Sequence, residues 1–413
     1  MKRLLSFLIL LVAFLAGYYI LAIWRGINLY QVNVSKERLL RAITVTPRNP
    51  DPFYRLGVLH QWDIQSYDLN ESVKFLGKAI ERNPLRQEYW ISVGRILQMT
   101  GKDVSAERAL ENAIRAYPTS FQGRWITGNL FLQRGKVEKA LPHFSYILLH
   151  YPEQSFLVYN VWYKVVGDSD ITLQKLVPSN QPSLTRYLLY LYSIGDKATA
   201  KKAWEKRVSL DERISREESL RHIEFLISRS DLHEAYRVWM ARLLEEGLST
   251  PADANLITNS GFEKEKLLGG GFDWRMDKVA GAQISFDPSI AFEGKRSLKI
   301  SFNGKENVDF QHVLQFVAMK PNTDYLLHAH VRTKAVTTKS GVRIEILGIG
   351  TPFHIASEPL TGDHDWTEMT LTFRTPPQLQ GGMLRLRREK TDKFDRFISG
   401  TVWIDNVRLT ENK

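Results

Sequence analysis

The 413-residue chain has no cysteine. Disulfides, thiolate nucleophiles and thiolate metal cages are therefore excluded, and the redox compartment leaves no trace in bridges. The phosphate loop, the zinc-binding helix motif and the G-x-S-x-G nucleophile elbow are also absent. No nucleic-acid-binding motif is present either, so no nucleic-acid partner is expected. Acidic residues are in deficit: 45 Asp and Glu face 56 Lys and Arg, for a net charge of +11. That charge is spread along the chain rather than blocked. It fits a solvated basic surface, and equally a surface near anionic lipid or an acidic polymer. Long apolar runs are scarce, with one exception at the amino terminus.

That exception covers residues 4–23, which carry no charge. About 20 apolar residues at about 1.5 Å each reach across a bilayer core of about 30 Å. Tyr18, Tyr19 and Trp24 suit the far interface. A cleaved signal peptide is the competing reading, but Phe14 occupies the place in Ala13-Phe14-Leu15-Ala16 where cleavage wants a small residue. The expectation is an uncleaved signal-anchor in residues 1–30, with its topology left open by charge alone, since Lys2 and Arg3 are balanced by Arg25, Lys36, Arg38 and Arg41.

A 34-residue period follows. Pro84, Pro118 and Pro152 share it, as do Gly94 and Gly128, Gly101 and Gly135, and Ala79 and Ala113. With Trp90, Ala106 and Leu110 in one unit and Trp125, Ala140 and Phe144 in the next, the pattern resembles the tetratricopeptide repeat. The unit before, residues 51–84, carries about three extra residues near Ile64 and Tyr67, in the turn between its helices. Gly195, Ala200 and Trp204 mark a worn unit, and Ala235 with Trp239 marks another 35 residues on. The stretch 151–182 keeps Tyr159, Trp162 and Tyr163 but loses the small positions. An all-α repeat superhelix is expected over 34–248. The tryptophans Trp90, Trp125, Trp204 and Trp239 read as packing between repeats. A concave face that grips a protein partner is the resemblance's functional implication.

Residues 249–254 read as a linker. Beyond them the apolar period becomes two: Tyr325, Leu327, Ala329 and Val331 alternate with polar residues, as do Val342, Ile344 and Ile346. This predicts an antiparallel β-sandwich over 255–413. The segments 255–263 (NLITNSGFE), 293–300 (EGKRSLKI), 320–325 (KPNTDY), 365–367 (DWT) and 402–409 (VWIDNVRL), with Trp274, resemble carbohydrate-binding modules of the galactose-binding-like jelly-roll fold. The resemblance implies a structural calcium held by Glu263, Asp405 and a carbonyl near Gly294 or Lys295. Calcium takes several hard oxygens in loose geometry. The alternative is that both carboxylates pair with Lys or Arg on the surface.

Alternation between two sheets predicts that strands 309–317, 342–347, 354–358 and 383–388 share one sheet, opposite the strand 324–334. The outward residues of the first sheet would be Asp309, Gln311, Gln315, Arg343, Glu345, Arg385 and Arg387. Planar amides, carboxylates and guanidiniums make paired hydrogen bonds to sugar hydroxyls or uronates. Trp274 is the candidate aromatic face. The arginines depart from the aromatic-lined clefts of neutral-glycan binders and favour an acidic polysaccharide. His328 and His330 share a strand face at metal spacing but lack a third ligand, and read as surface residues. No catalytic constellation is present, and arginines around Asp309 and Glu345 disfavour a general acid between them.

The combined expectation is a non-catalytic, single-pass envelope scaffold of a bacterial inner membrane, its soluble part periplasmic. It would hold a protein partner by its repeats and glycan by its sandwich, in exopolysaccharide or O-antigen assembly or export. The alternatives are a protein-interaction scaffold whose sandwich binds no sugar and, remotely, a glycoside hydrolase.

Overall fold

The computed structural model describes residues 2–31, 34–248 and 255–412; the expected linker at 249–254 lies outside them. The chain divides into two compact units, Met1–Tyr190 and Leu191–Lys413.

The first unit opens with α1 (Lys2–Gln31), which contains one stretch, Phe7–Leu29, long and apolar enough to cross a membrane. Its large apolar side chains are exposed, Phe7 at 67% and Phe14 at 72%. Its last turns are not. Ile27 and Leu29 pack with Leu39 and Ala42 of α2 (Lys36–Val45) and with Leu56.

Antiparallel helix pairs follow. They are α3 (Asp51–Trp62) with α4 (Leu69–Arg82), α5 (Gln87–Met99) with α6 (Asp103–Ala116), and α7 (Phe121–Gln133) with α8 (Val137–His150). The second helices begin at 69, 103 and 137, each 34 residues after the last. The turn 63–68 has six residues where 100–102 and 134–136 have three, which accounts for the three extra residues seen in the sequence. Gly101 and Gly135 sit just past α5 and α7 at φ +73° and +67°, the left-handed cap for which glycine is suited. The expected unit at 151–182 is reduced. α9 (Ser155–Val166) is followed only by α10 (Ser169–Ile171) and a π-turn, Thr172–Leu176, in place of a full second helix. α11 (Gln181–Ile194) comes next.

In the second unit, α12 (Lys197–Val208), α13 (Arg216–Ser228) and α14 (Leu232–Glu245) precede the sandwich. Ser215 caps α13 by accepting from Glu218 N. Among the described residues the β portion has ten strands: β1 (Arg275–Met276), β2 (Ala282–Asp287), β3 (Ser297–Asn303), β4 (Phe310–Val317), β5 (Asp324–Val336), β6 (Arg343–Gly348), β7 (His354–Ala356), β8 (Gly362–Arg374), β9 (Gly382–Arg388) and β10 (Ser399–Glu411). They form two five-stranded sheets, ordered β1-β4-β9-β6-β7 and β2-β3-β10-β5-β8. The predicted sharing of strands between sheets is the observed one. Tyr325, Leu327, Ala329 and Val331 face Val313, Ile344, Ile346, Leu384 and Leu386 in one core.

Helices and sandwich meet within this unit. Glu224 of α13 accepts from Gly271 N at 2.7 Å and from Arg275 Nη2 at 2.9 Å. Phe272, fully buried, packs on Tyr236 and Trp239 of α14. Trp239 therefore packs against the β portion.

Candidate glycan-binding face

The outer face of the first sheet is built on β6 and β9, where Arg343 is opposite Arg387 and Glu345 opposite Arg385. Alternation sends Ile344, Leu384 and Leu386 into the core and these four charged residues outward. Glu345 is the hub, at 1% exposure. Its Oε1 accepts from Arg343 Nε at 2.9 Å and Nη2 at 2.7 Å, and its Oε2 from Arg385 Nε at 2.8 Å. Arg385 Nη1 also donates to Gln311 Oε1 at 2.9 Å, and Arg343 Nη2 to Glu389 at 2.9 Å. Arg387 Nη1 donates to Asp309 Oδ1 at 2.5 Å, while its Nε is buried without a partner.

Burial raises the Glu345 carboxyl, but hydrogen bonds from Arg343 and Arg385 outweigh it and hold the group below the usual glutamate value. Asp309 is likewise lowered, burial being outweighed by Arg387. Both are carboxylates at neutral pH, and neither is poised as a general acid. The three guanidiniums are matched by Glu345, Asp309 and Glu389. The face therefore presents oriented donors and acceptors rather than free positive charge, and this removes the charge argument for an acidic ligand.

Two expected site residues are elsewhere. Gln315 points inward at 0% exposure, where its amide accepts from Thr258 N at 2.9 Å and donates to Thr258 O at 3.0 Å. A β-bulge between Phe310 and Val313 reverses the alternation, so Gln311 and Gln315 face opposite ways. Trp274 is 5% exposed, packed 4.9 Å from Phe262, with Nε1 donating to Asn259 O. It is a core residue with no free face for a sugar. The outward aromatic of this sheet is Phe316, whose ring lies under Arg275 at 4.7 Å. A groove of about 890 Å³ beside β2 is walled by Met276, Ile284 and Phe286, but Arg296 covers Phe286 at 4.3 Å.

The segment 255–263 forms turns and irregular backbone, yet it runs beside β10: Leu256 N donates to Leu409 O and Val407 N to Ser260 O. This brings Glu263 and Asp405 together. A Cβ on Gly261 would lie 3.6 Å from Asp405 Oδ1 and 3.8 Å from Glu263 Cγ. Asp405 is fully buried and accepts from Phe292 N and Glu293 N. Burial raises its carboxyl, and the Glu263 charge adds to that. Glu263 accepts from Lys295 N at 2.8 Å, so the observed contact of Lys295 is through its N–H. Neither carboxylate has a Lys or Arg partner among the described residues, contrary to the surface-pair alternative. His328 bonds Glu368 at 2.7 Å and His330 stacks on Phe292; among the described residues no group of three or more His, Asp or Glu forms a metal cage.

Residues 254–392 match the family described as carbohydrate binding domain. The tRNA(Glu)-specific nuclease WapA of Bacillus subtilis subsp. natto is 25% identical over 170 residues, 39% of this chain and 7% of that protein. The tRNA nuclease WapA of Bacillus subtilis is 23% identical over the same length and share. The chain thus spans about 7% of the length of these curated relatives. Among solved structures, a Family 16 Carbohydrate Binding Module-2 is 26% identical, covering 38% of this chain and 100% of that one at a TM-score of 0.27. The CBM22-1 xylan-binding domain from Paenibacillus barcinonensis is 16% identical, covering 40% and 99% at a TM-score of 0.28. The terminal sandwich, two facing antiparallel sheets, thus matches a carbohydrate binding domain over residues 254–392 and follows a run of paired helices.

Proposed function

We propose that this chain is a non-catalytic scaffold, tethered to a bacterial inner membrane by α1 with its soluble part in the periplasm. In this reading its tetratricopeptide-type repeats hold a protein partner and its sandwich holds a polysaccharide, in exopolysaccharide or O-antigen assembly or export. The observation that carries the glycan reading is the planar network of Arg343, Glu345, Arg385 and Gln311 on the outer face of a sheet in a carbohydrate-binding domain. Each group is already oriented by its neighbour, so a sugar hydroxyl pair meets donors and acceptors that need no reordering. Since the charges balance, hydroxyls of a neutral glycan suit it as well as a uronate. A calcium ion held by Glu263 and Asp405 belongs to the same proposal.

The test is affinity electrophoresis of the full chain in detergent through gels holding xylan, galactomannan or polygalacturonate. Replacing Arg385 and Arg387 together by Ala should abolish retardation by the polymer that binds. Unchanged retardation rejects the site. One observation favours the second reading, a protein scaffold with no sugar ligand: every guanidinium of the face is already paired and Trp274 is buried. Lack of retardation by every polymer supports that reading.

A further inference from the structure

We infer that the sandwich carries a second glycan-binding surface, an aromatic platform on the outer face of the opposite sheet, and that it takes a pyranose ring. This rests on the reading that the domain binds polysaccharide. Its elements are Phe292, from the segment between β2 and β3, His330 of β5 and Trp366 of β8. The inward set Ala329 and Val331 fixes His330 outward. The Phe292 ring lies on the His330 ring with centroids 3.5 Å apart and planes 13° from parallel. Phe292 is nevertheless 44% exposed. One face of the ring is covered by the imidazole, and much of the remaining ring surface reaches solvent. Trp366 stands beside it, 5.8 Å away at 68°, as a wall.

The arrangement is held in place rather than merely exposed. Phe292 N donates to the buried carboxylate of Asp405 at 2.8 Å, and Glu293 N does so at 3.1 Å. The backbone under the ring is thereby anchored. Elsewhere in the sandwich Phe397 is covered by Arg396 at 4.9 Å, and Phe394 is fully exposed with no ring contact among the described residues. Phe292 alone of these combines an exposed ring with a stacked, anchored position.

A protein partner would want a broad apolar patch with a polar rim farther out. Here the strands that carry the ring's neighbours also carry charge pairs: His328 with Glu368, Arg332 with Asp365 and Arg408 with Glu293. A single ring face matches the axial C–H face of one pyranose. Planar donors and acceptors around it match the equatorial hydroxyls. Arg332 and Arg408 are each matched by a carboxylate and Glu368 adds a third, so the surface has no excess positive charge to offer a uronate and favours a neutral sugar.

The experiment is the gel series above, run on the full chain with Phe292→Ala, Phe292→Leu and Phe292→Trp alongside the Arg385→Ala/Arg387→Ala double variant. Covering one ring face is worth about a tenfold change in affinity. Phe292→Ala and Phe292→Leu should each weaken retention by xylan or galactomannan by about that factor, and Phe292→Trp should preserve it. Leu keeps apolar bulk on His330 while removing the flat face, so its loss of binding cannot come from an unfolded chain; thermal melting by circular dichroism checks this directly. Loss with the Phe292 variants but not with the arginine variant establishes the platform and rejects the arginine face. The reverse pattern rejects the platform and leaves the arginine face standing. Loss with both makes them two surfaces of one binding domain. Failure of the unaltered chain to bind any polymer overturns both.

Discussion

Glu345 carries more of the first sheet's outer face than any other side chain, because its two oxygens organise two guanidiniums while water is almost excluded. Removing its charge leaves Arg343 and Arg385 in place with half their partners gone. Both arginines keep some solvent, 24% and 18% of the side chain, which tempers the loss. Glu345→Gln is expected to lower unfolding free energy by about 1–3 kcal/mol, read by urea denaturation at pH 7. The pH dependence has a definite sign. The folded value is below the unfolded one, so the unfolded chain binds the proton first. Stability from this group is complete above the ordinary glutamate range near pH 4.3, declines as pH falls through it, and is gone below the folded value. The Glu345→Gln chain should lose that part of its acid sensitivity; an identical acid profile for both chains refutes the role given to Glu345. What the sequence could not display is visible at this same scale. Alternation placed Arg343, Glu345, Arg385 and Arg387 outward correctly because β6 and β9 are regular. It misplaced Gln315 because one inserted residue near Gln311 reverses parity, and no composition signal marks a bulge. Trp274 misled because a tryptophan in a loop looks alike whether its ring is free or folded under Phe262. Phe292 was missed for the converse reason: its exposure depends on an anchor 113 residues away, Asp405.

At the scale of elements, the repeats were legible because their period is a packing constraint. Gly57, Gly94 and Gly128 each face one large residue of the partner helix, Leu76, Leu110 and Phe144. Those partners are themselves 34 residues apart, so helix approach repeats with the sequence. A Cβ on Gly57 would lie 2.6 Å from Leu76 Cγ and 3.2 Å from Ser72 O, with no flexible chain end to move aside. Gly57→Ala gains helix propensity of up to about 1 kcal/mol but pays overpacking of about 1–3 kcal/mol, so a net loss is expected. Gly77, in α4, would meet nothing within 4 Å. Gly77→Ala should therefore stabilise by about 0.5–1 kcal/mol. The pair of opposite signs, read by thermal melting of the helical signal, separates packing from propensity. Equal effects at both sites would show that glycine at 57 is not there to let the helices touch. Where packing needs no small residue, as after α9, the period fades and the second helix shrinks to Ser169–Leu176, two short turns that the apolar pattern alone does not distinguish from a helix.

At the scale of the whole molecule, the sandwich closes by joining its first segment to its last strand. Asn255 accepts from Leu409 N at 2.9 Å, Leu256 N donates to Leu409 O, and Val407 N donates to Ser260 O. Glu263 and Asp405 sit on this seam, and Asp405 is buried with a raised carboxyl. Two adjacent carboxylates with no cationic side chain beside them leave the seam weaker than its backbone bonds alone would make it. A hard divalent cation with oxygen ligands reverses that, and calcium tolerates the irregular geometry of two turns. Calcium at about 100 times its dissociation constant should stabilise the fold by about 2.7 kcal/mol, or roughly 5–10 °C in the melting of a body this size. Asp405→Asn should erase the shift; in the absence of calcium its amide oxygen still accepts from Phe292 N and Glu293 N and the repulsion with Glu263 is gone, against which the bond from Asn406 N is lost. Magnesium, which demands a tighter octahedron, should produce a smaller shift. Calorimetry of the full chain with chelator, calcium or magnesium measures all three. A melting temperature indifferent to calcium, or one that Asp405→Asn leaves equally responsive, would mean that the seam is held by hydrogen bonds alone and that the carboxylate pair serves only to anchor the backbone beneath Phe292.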